Sequence, residues 1–173
     1  MRAIVVSDTH GDCATLNSIL LSQSKAEVVF FLGDGKDDIE QVKPNFPEKM
    51  FIEVRGNCDW GSKLPIEQFF TLEGKKIMST HGHAYDVKFT YNRIINHAKY
   101  NDCDILLFGH THTPVTLYED GLYIMNPGSA HGYGATYGVL DITPQGIVTN
   151  IVKVKWYREY LKTSVCFQIL PKI

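Results

Sequence analysis

The sequence predicts a layered α/β domain whose central sheet of buried strands is extended by antiparallel strands toward the C-terminal end. Three observations predict it. The first part of the chain alternates short apolar runs with stretches of helical spacing. The last part holds only strand-like runs. The composition, 44% hydrophobic and 21% charged over 173 residues, is that of a globular chain. That length suits about one domain, 1–173, which buries about 70% of its unfolded surface.

Arg2 to Val6 is a continuous apolar run and reads as a buried strand. Asp12 is a helix cap, and Leu16, Ile19 and Leu20 recur behind it at helical spacing. Val28 to Leu32 is a second strand, ending at Gly33-Asp34. A short helical pattern follows and is broken by Pro44 and Pro47. Met50 to Val54 is a third strand, ending at Gly56-Asn57. Phe69 to Leu72 and Lys76 to Ser79 flank Glu73-Gly74-Lys75, which reads as a hairpin turn. Tyr91, Ile94, Ile95 and Ala98 share one helix face, off which His97 points to water. Ile105 to Phe108 is a further strand, ending at Gly109-His110. Val115 to Tyr118, Leu122 to Met125, Tyr137 to Ile142 and Val148 to Val154 complete the strands. Phe30, Phe31, Phe69 and Phe70 read as core. The tail from about Trp156 is too apolar to stay free in water. It reads either as a closing strand or as an interface, which leaves a homodimer open.

Charge and cysteine usage exclude several classes. Lys and Arg number 17 against 19 Asp and Glu, a net charge of −2, so no sequence-wide attraction for nucleic acid or anionic membranes is expected. No run of about 18 apolar residues predicts a membrane span. Met1 to Val6 passes straight into Ser7-Asp8, too short for a secretory signal, and the expected location is the cytoplasm. Cys13, Cys58, Cys103 and Cys166 form no CxxC pair and read as free thiols.

The chemistry lies at the strand ends. Asp8-Thr9-His10, Gly33-Asp34, Gly56-Asn57-Cys58-Asp59, His81-Gly82-His83 and Gly109-His110-Thr111-His112 each follow an apolar run. Open α/β sheets bind ligands beyond the carboxyl ends of their strands, where loops converge. Taken singly, such clusters are ordinary turns and caps; five in one chain point to a shared metal site. Carboxylate, imidazole and amide oxygen suit manganese, iron, zinc or nickel better than a soft metal. Two metals about 3.5–4 Å apart need a bridging ligand, which a carboxylate such as Asp34 supplies.

These residues resemble the calcineurin-like metallophosphoesterase superfamily, whose pattern is D-x-H, G-D, G-N-x-D/E, a lone H and G-H-x-H in that order. All five elements are present, and with Asn126-Pro127-Gly128-Ser129 the motifs span residues 8–129. That last loop is usual in the small bacterial and archaeal phosphodiesterase subgroup. The resemblance covers roughly 1–155 and implies an αββα two-sheet sandwich. It implies a first divalent metal held by Asp8, His10, Asp34 and His112, and a second by Asp34, Asn57, His81 and His110, with Asp34 bridging. Manganese is the first choice, with nickel, zinc, iron or magnesium as alternatives. A hydroxide between the metals is implied as nucleophile toward a small phosphodiester. Two cations lower the pKa of a shared water and neutralise phosphate charge. Each histidine ligand needs its second ring nitrogen oriented, by a backbone carbonyl or by Asp59.

Asn57, Cys58, His81 and His83 are the residues this resemblance brings to the reacting phosphate. Many relatives carry His where this chain carries Cys58. A thiol, with an ordinary pKa of about 8.5, replaces an imidazolium acid poorly, so good leaving groups and diesters are favoured over alkyl monoesters. Cys58 also reads as a plain loop filler. His83 reads either as a substrate or supporting contact or as a surface histidine. No Lys or Arg lies between Pro127 and Pro144, and His131 and Tyr133 read as loop packing or substrate contacts. A non-catalytic scaffold is the alternative, since the chain also resembles the retromer scaffold subunit in its His-Gly-His, Gly-His-Thr-His and Asn-Pro-Gly-Ser-Ala segments. That relative has an altered ligand set; here all seven ligands are present. A nuclease of the superfamily ranks last, for want of spare length and basic surplus.

Overall fold

The two apolar faces of each central strand decide the architecture. The structure, a computed structural model, describes residues 1–154. In it β1 (Arg2–Val6), α1 (Cys13–Ser22), β2 (Val28–Phe31), α2 (Lys36–Val42) and β3 (Met50–Glu53) form the first part. Then come β4 (Glu67–Leu72), β5 (Lys75–Thr80), α3 (Asn92–Tyr100) and β6 (Ile105–Leu107). β7 (Val115–Glu119), β8 (Leu122–Asn126), β9 (Thr136–Thr143) and β10 (Gly146–Lys153) follow.

The strands build two five-stranded sheets, in the orders β10-β9-β1-β2-β3 and β4-β5-β6-β8-β7. β1, β2 and β3 run parallel, as do β5, β6 and β8, while β9, β10, β4 and β7 pair antiparallel. Side chains alternate between faces. Ala3, Val5, Val28 and Phe30 therefore pack inward against Ile77, Ile105, Leu107 and Met125 of the other sheet. Ile4, Val6, Val29 and Phe31 point outward onto Leu16, Ile19 and Leu20 of α1 and onto Ile39 and Val42 of α2. Met78, Leu106 and Ile124 of the second sheet meet Ile94, Ile95 and Ala98 of α3. The four layers are helix, sheet, sheet, helix: the αββα sandwich that the resemblance implies. Burial on both faces is why the parallel strands are continuous apolar runs.

Asp12 caps α1 as read, its side chain accepting the Thr15 N–H at 2.9 Å. Three readings need correction. Leu72 pairs with Lys75, so the β4–β5 turn is Glu73-Gly74 alone, with φ of 50° and 73°, and Lys75 belongs to the strand. Phe69 is 36% exposed because β4 is an edge strand; Phe70, by contrast, packs against the inter-sheet core. His97 is half-buried between Phe69 and Tyr85, with its Nε2 3.4 Å from Glu67, because the side chains of β4 and of the 83–85 turn reach over α3. The proposed packing of the tail from Trp156 lies outside the described residues.

Candidate metal centre

Register brings the motifs together. Val6 stands beside Phe31 and Phe31 beside Glu53, while Ser79 stands beside Leu107 and Leu107 beside Met125. The loops after β1, β2, β3, β5 and β6 thus leave their sheets at matching levels. The backbone there is unusual. Asp8, His10, Asp34, His110 and His112 have φ of 58°, 45°, 57°, 69° and 58°, left-handed conformations that L side chains rarely adopt. Such strain persists where the surroundings fix it, and it gathers at functional sites. Two glycines permit close approaches beside the ligands. A Cβ on Gly56 would lie 2.0 Å from Asp34 Oδ1, and one on Gly109 would lie 2.0 Å from Ser7 Oγ.

Buried polar side chains hold these loops. Asp59 accepts four backbone N–H groups: Asp34 at 2.8 Å, Gly56 at 2.7 Å, and Gly35 and Lys36 at 2.9 Å each. Burial would push its carboxyl up, but those four bonds outweigh burial and hold it below the ordinary carboxylate range. Asp59 therefore orients backbone rather than a histidine ring, which corrects one alternative of the sequence reading. Asp38 accepts from Thr9 Oγ1 at 2.5 Å and from the Gly11 N–H at 2.9 Å, fixing the His10 loop. Asn126 donates to the Gly109 carbonyl at 2.8 Å and to Thr111 Oγ1 at 3.0 Å, fixing the loop of His110 and His112. Ser129 donates to the Asp8 carbonyl at 2.8 Å. Sequence reasoning missed the roles of Asp38 and Asn126; both are polar residues that face inward next to ligand loops, which is the one signal they offered.

All seven predicted ligands meet in two adjoining groups. In the first, Asp8 Oδ1 has His112 Nε2 at 3.1 Å and His10 Nε2 at 3.7 Å, and those two ring nitrogens are 3.2 Å apart. In the second, His81 Nε2 has Asn57 Oδ1 and His110 Nδ1 at 3.1 Å each and Asp34 Oδ2 at 3.4 Å. Asp34 Oδ2 is also 4.0 Å from His10 Nε2, so it faces both groups. His81 Nδ1–H donates to the Leu32 carbonyl at 2.8 Å, which leaves Nε2 with a free lone pair. Asp8 Oδ2 is satisfied by Ser7 Oγ at 2.5 Å and the His110 N–H at 3.1 Å, whereas the buried Oδ1 has no hydrogen-bond partner among the described residues. Lone pairs facing one another, with a buried carboxylate oxygen unpartnered, are what a cation site offers. The oxygen and nitrogen donors fit divalent first-row metals.

The electrostatics follow from this crowding. Burial opposes ionisation of Asp34, but His81 and the Cys58 N–H outweigh it and hold the carboxyl well below its usual range. Burial likewise opposes a charged His81, and Asp34 and Asp8 outweigh it and raise its pKa. Burial pushes His110 down to about 4, and the charges of His81 and Lys88 add to that. His83, beside His81 at a ring separation of 5.5 Å, is lowered by burial and by the charges of His81 and Arg55; its buried Nδ1 has no partner among the described residues. Cys58 is exposed, and desolvation followed by Asp34, Asp59 and Asp8 pushes its thiol up to about 11.

A cleft of about 350 Å³ opens onto this cluster, walled by His10, Asp34, Cys58, Asp59, Lys36 and Trp60. Its cation, Lys36, comes from the start of α2. The loop between Pro127 and Pro144 supplies none, as its sequence requires. His131 sits on the rim: Nδ1–H donates to the Thr9 carbonyl at 3.1 Å, and its ring lies 6.3 Å from that of His10. The exposed Tyr133 stands in the same loop.

Comparisons with known proteins bear on the fold that carries these residues. The family model of the calcineurin-like phosphoesterase superfamily domain matches residues 1–145. The phosphodiesterase YfcE of Escherichia coli strain K12 is 30% identical over 169 residues, covering 82% of this chain and 88% of that protein. The vacuolar protein sorting-associated protein 29 of Schizosaccharomyces pombe is 40% identical over 101 residues, covering 57% of this chain and 54% of that protein. Among solved structures, a predicted phosphoesterase from Streptococcus pneumoniae TIGR4 superposes with a TM-score of 0.75 at 26% identity, over 88% of each chain.

Proposed function

The chain belongs to the calcineurin-like phosphoesterase superfamily, and from that premise we propose that it is a phosphodiesterase working with two divalent cations. One observation carries the proposal: Asp8, His10 and His112 on one side, and Asn57, His81 and His110 on the other, aim lone pairs inward, and Asp34 Oδ2 faces both groups. Asp34 is the bridging ligand of this reading, and manganese is its first metal. Bound there, the cations would supply an acidified water near neutral pH and neutralise phosphate charge.

The chain's own groups do the rest. Leu32 fixes the tautomer of His81 through its carbonyl. Asn57 contributes a neutral oxygen, so the centre keeps positive charge for an anionic substrate. Its Nδ2 donates to Cys58 Sγ at 3.2 Å, which turns Oδ1 into the site. Lys36 adds a charge in the cleft. Cys58 presents a thiol, a poorer acid than an imidazolium for an expelled alcohol, and this favours diesters with good leaving groups. The name of YfcE, a phosphodiesterase, supports the same substrate class. A cytoplasmic location belongs to this reading, supported by the free Cys13, Cys58 and Cys103. Among the described residues no helix is long and apolar enough to cross a membrane.

The scaffold alternative draws support from the 40% identity to the S. pombe sorting protein over 101 residues. The complete ligand set favours catalysis. Calorimetric titration of metal-free protein with manganese tests the reading directly. Two equivalents bound per chain are expected; binding of one or none contradicts the two-metal assignment.

A further inference from the structure

Trp60 stands at the cleft that opens onto the metal cluster, yet its side chain is 88% exposed. The loop beneath it is fixed. The Trp60 N–H donates to the Cys58 carbonyl at 3.0 Å, and the Ser62 N–H donates to the Asp59 carbonyl at 3.1 Å. The indole is thereby tied to the neighbours of Asn57, and Asp59 in turn holds the backbone of Asp34. An exposed tryptophan at a cleft presents a large flat apolar surface on which a planar ligand can stack. The same cleft is lined by Lys36, by His10 and Asp34 of the ligand cluster, and by Asp37 and Asp38. Among the described residues the Lys36 ammonium pairs only with Glu40, at 3.7 Å. The cleft thus brings a flat apolar side chain together with Lys36 and with His10 and Asp34 of the ligand cluster, within a volume of about 350 Å³. That combination matches a ligand with a planar base at one end and a phosphate at the other.

We propose that Trp60 is a specificity-determining residue that stacks on the base of nucleoside phosphodiesters and selects them over glycerol and other alkyl diesters. This rests on the phosphodiesterase reading above and names its substrate class. Stacking of a base on an aromatic side chain is sequence-tolerant, so any nucleobase is accepted.

The test is a binding titration in the presence of manganese with two probes, adenosine 5′-monophosphate and glycerol 3-phosphate. The wild-type chain is expected to bind the nucleotide at least about 10-fold more tightly. Trp60→Ala is expected to reduce that preference by about 10- to 100-fold, and Trp60→Phe to keep most of it. Equal binding of the two probes by the wild type overturns the proposal, as does a preference that survives Trp60→Ala. The titration needs no turnover, so it separates two failures. Diester cleavage without nucleotide preference removes the role of Trp60 and leaves the phosphodiesterase standing. Nucleotide preference without cleavage under any metal removes the phosphodiesterase and leaves a Trp60 nucleotide site.

Discussion

Asp59 grips the backbone of Asp34: its Oδ2 accepts the Asp34 N–H at 2.8 Å and the Gly56 N–H at 2.7 Å, so one carboxylate ties the end of β2 to the end of β3. Through Gly35 and Lys36, at 2.9 Å each, it also fixes the start of α2. The residue that faces both ligand groups is thus set in place by a buried anion that touches neither.

Asp59→Asn keeps the size but presents an N–H₂ to backbone N–H donors. Buried donors left without an acceptor are costly, so the variant is expected to lose about 3 kcal/mol or more in denaturant unfolding. Manganese affinity is expected to fall about 10- to 100-fold, as for other residues that orient metal ligands. Unchanged affinity, measured by titration of folded protein, would refute the link from Asp59 to Asp34.

Asn57 and His81 serve one ligand group but differ as probes. His81 is fully buried, and removing it leaves a hole and an unpartnered Leu32 carbonyl. Asn57 is exposed. Asn57→Ala is therefore expected to keep the melting temperature of the wild type, lose one equivalent of bound manganese and lower diester turnover about 100-fold or more. His81→Ala is expected to lose activity and stability together. Full activity of either variant with metal present would contradict the assignment.

Gly56 tests packing at the centre. Its Cβ would stand 2.0 Å from Asp34 Oδ1 and 2.6 Å from the Asp34 backbone nitrogen, so Gly56→Ala must displace Asp34. A drop in manganese affinity of about 10-fold or more is expected, with secondary structure by circular dichroism retained. Wild-type affinity would show that Asp34 does not hold metal.

Cys58 bears on leaving groups. In the metal-free chain its thiol is pushed up to about 11 by burial and by Asp34, Asp59 and Asp8. Cys58→His places a better acid at the same exposed position. The ratio of monoesterase to diesterase kcat/KM is expected to rise, by about 10-fold or more. No change in that ratio would remove Cys58 from the chemistry.

Much of this was legible in the sequence, for physical reasons. Strands buried on both faces are continuous apolar runs, so β1, β2 and β6 declare themselves, and the residues just past their ends are the ligands. Asp8, His10, Asp34, Asn57, His81, His110 and His112 all reach the two groups because each lies at a strand terminus. The rest depended on partners distant in sequence. Phe69 looks like core until β4 is seen to be an edge strand. His97 looks solvated until Tyr85 and Phe69 are seen against it. Asp59, Asp38 and Asn126 act on backbone groups of other loops, and no local pattern encodes a hydrogen bond across 25, 29 or 17 positions. Trp60 is ordinary in sequence; only the cleft gives it meaning.

The most direct measurement is hydrolysis of bis-p-nitrophenyl phosphate by metal-stripped protein with manganese, nickel, zinc, iron or magnesium restored singly. The two-cation phosphodiesterase predicts no turnover without metal and cleavage regained with at least one of them, manganese first. Absence of cleavage with every metal, in protein shown to be folded, would contradict it and leave the scaffold as the function of this fold.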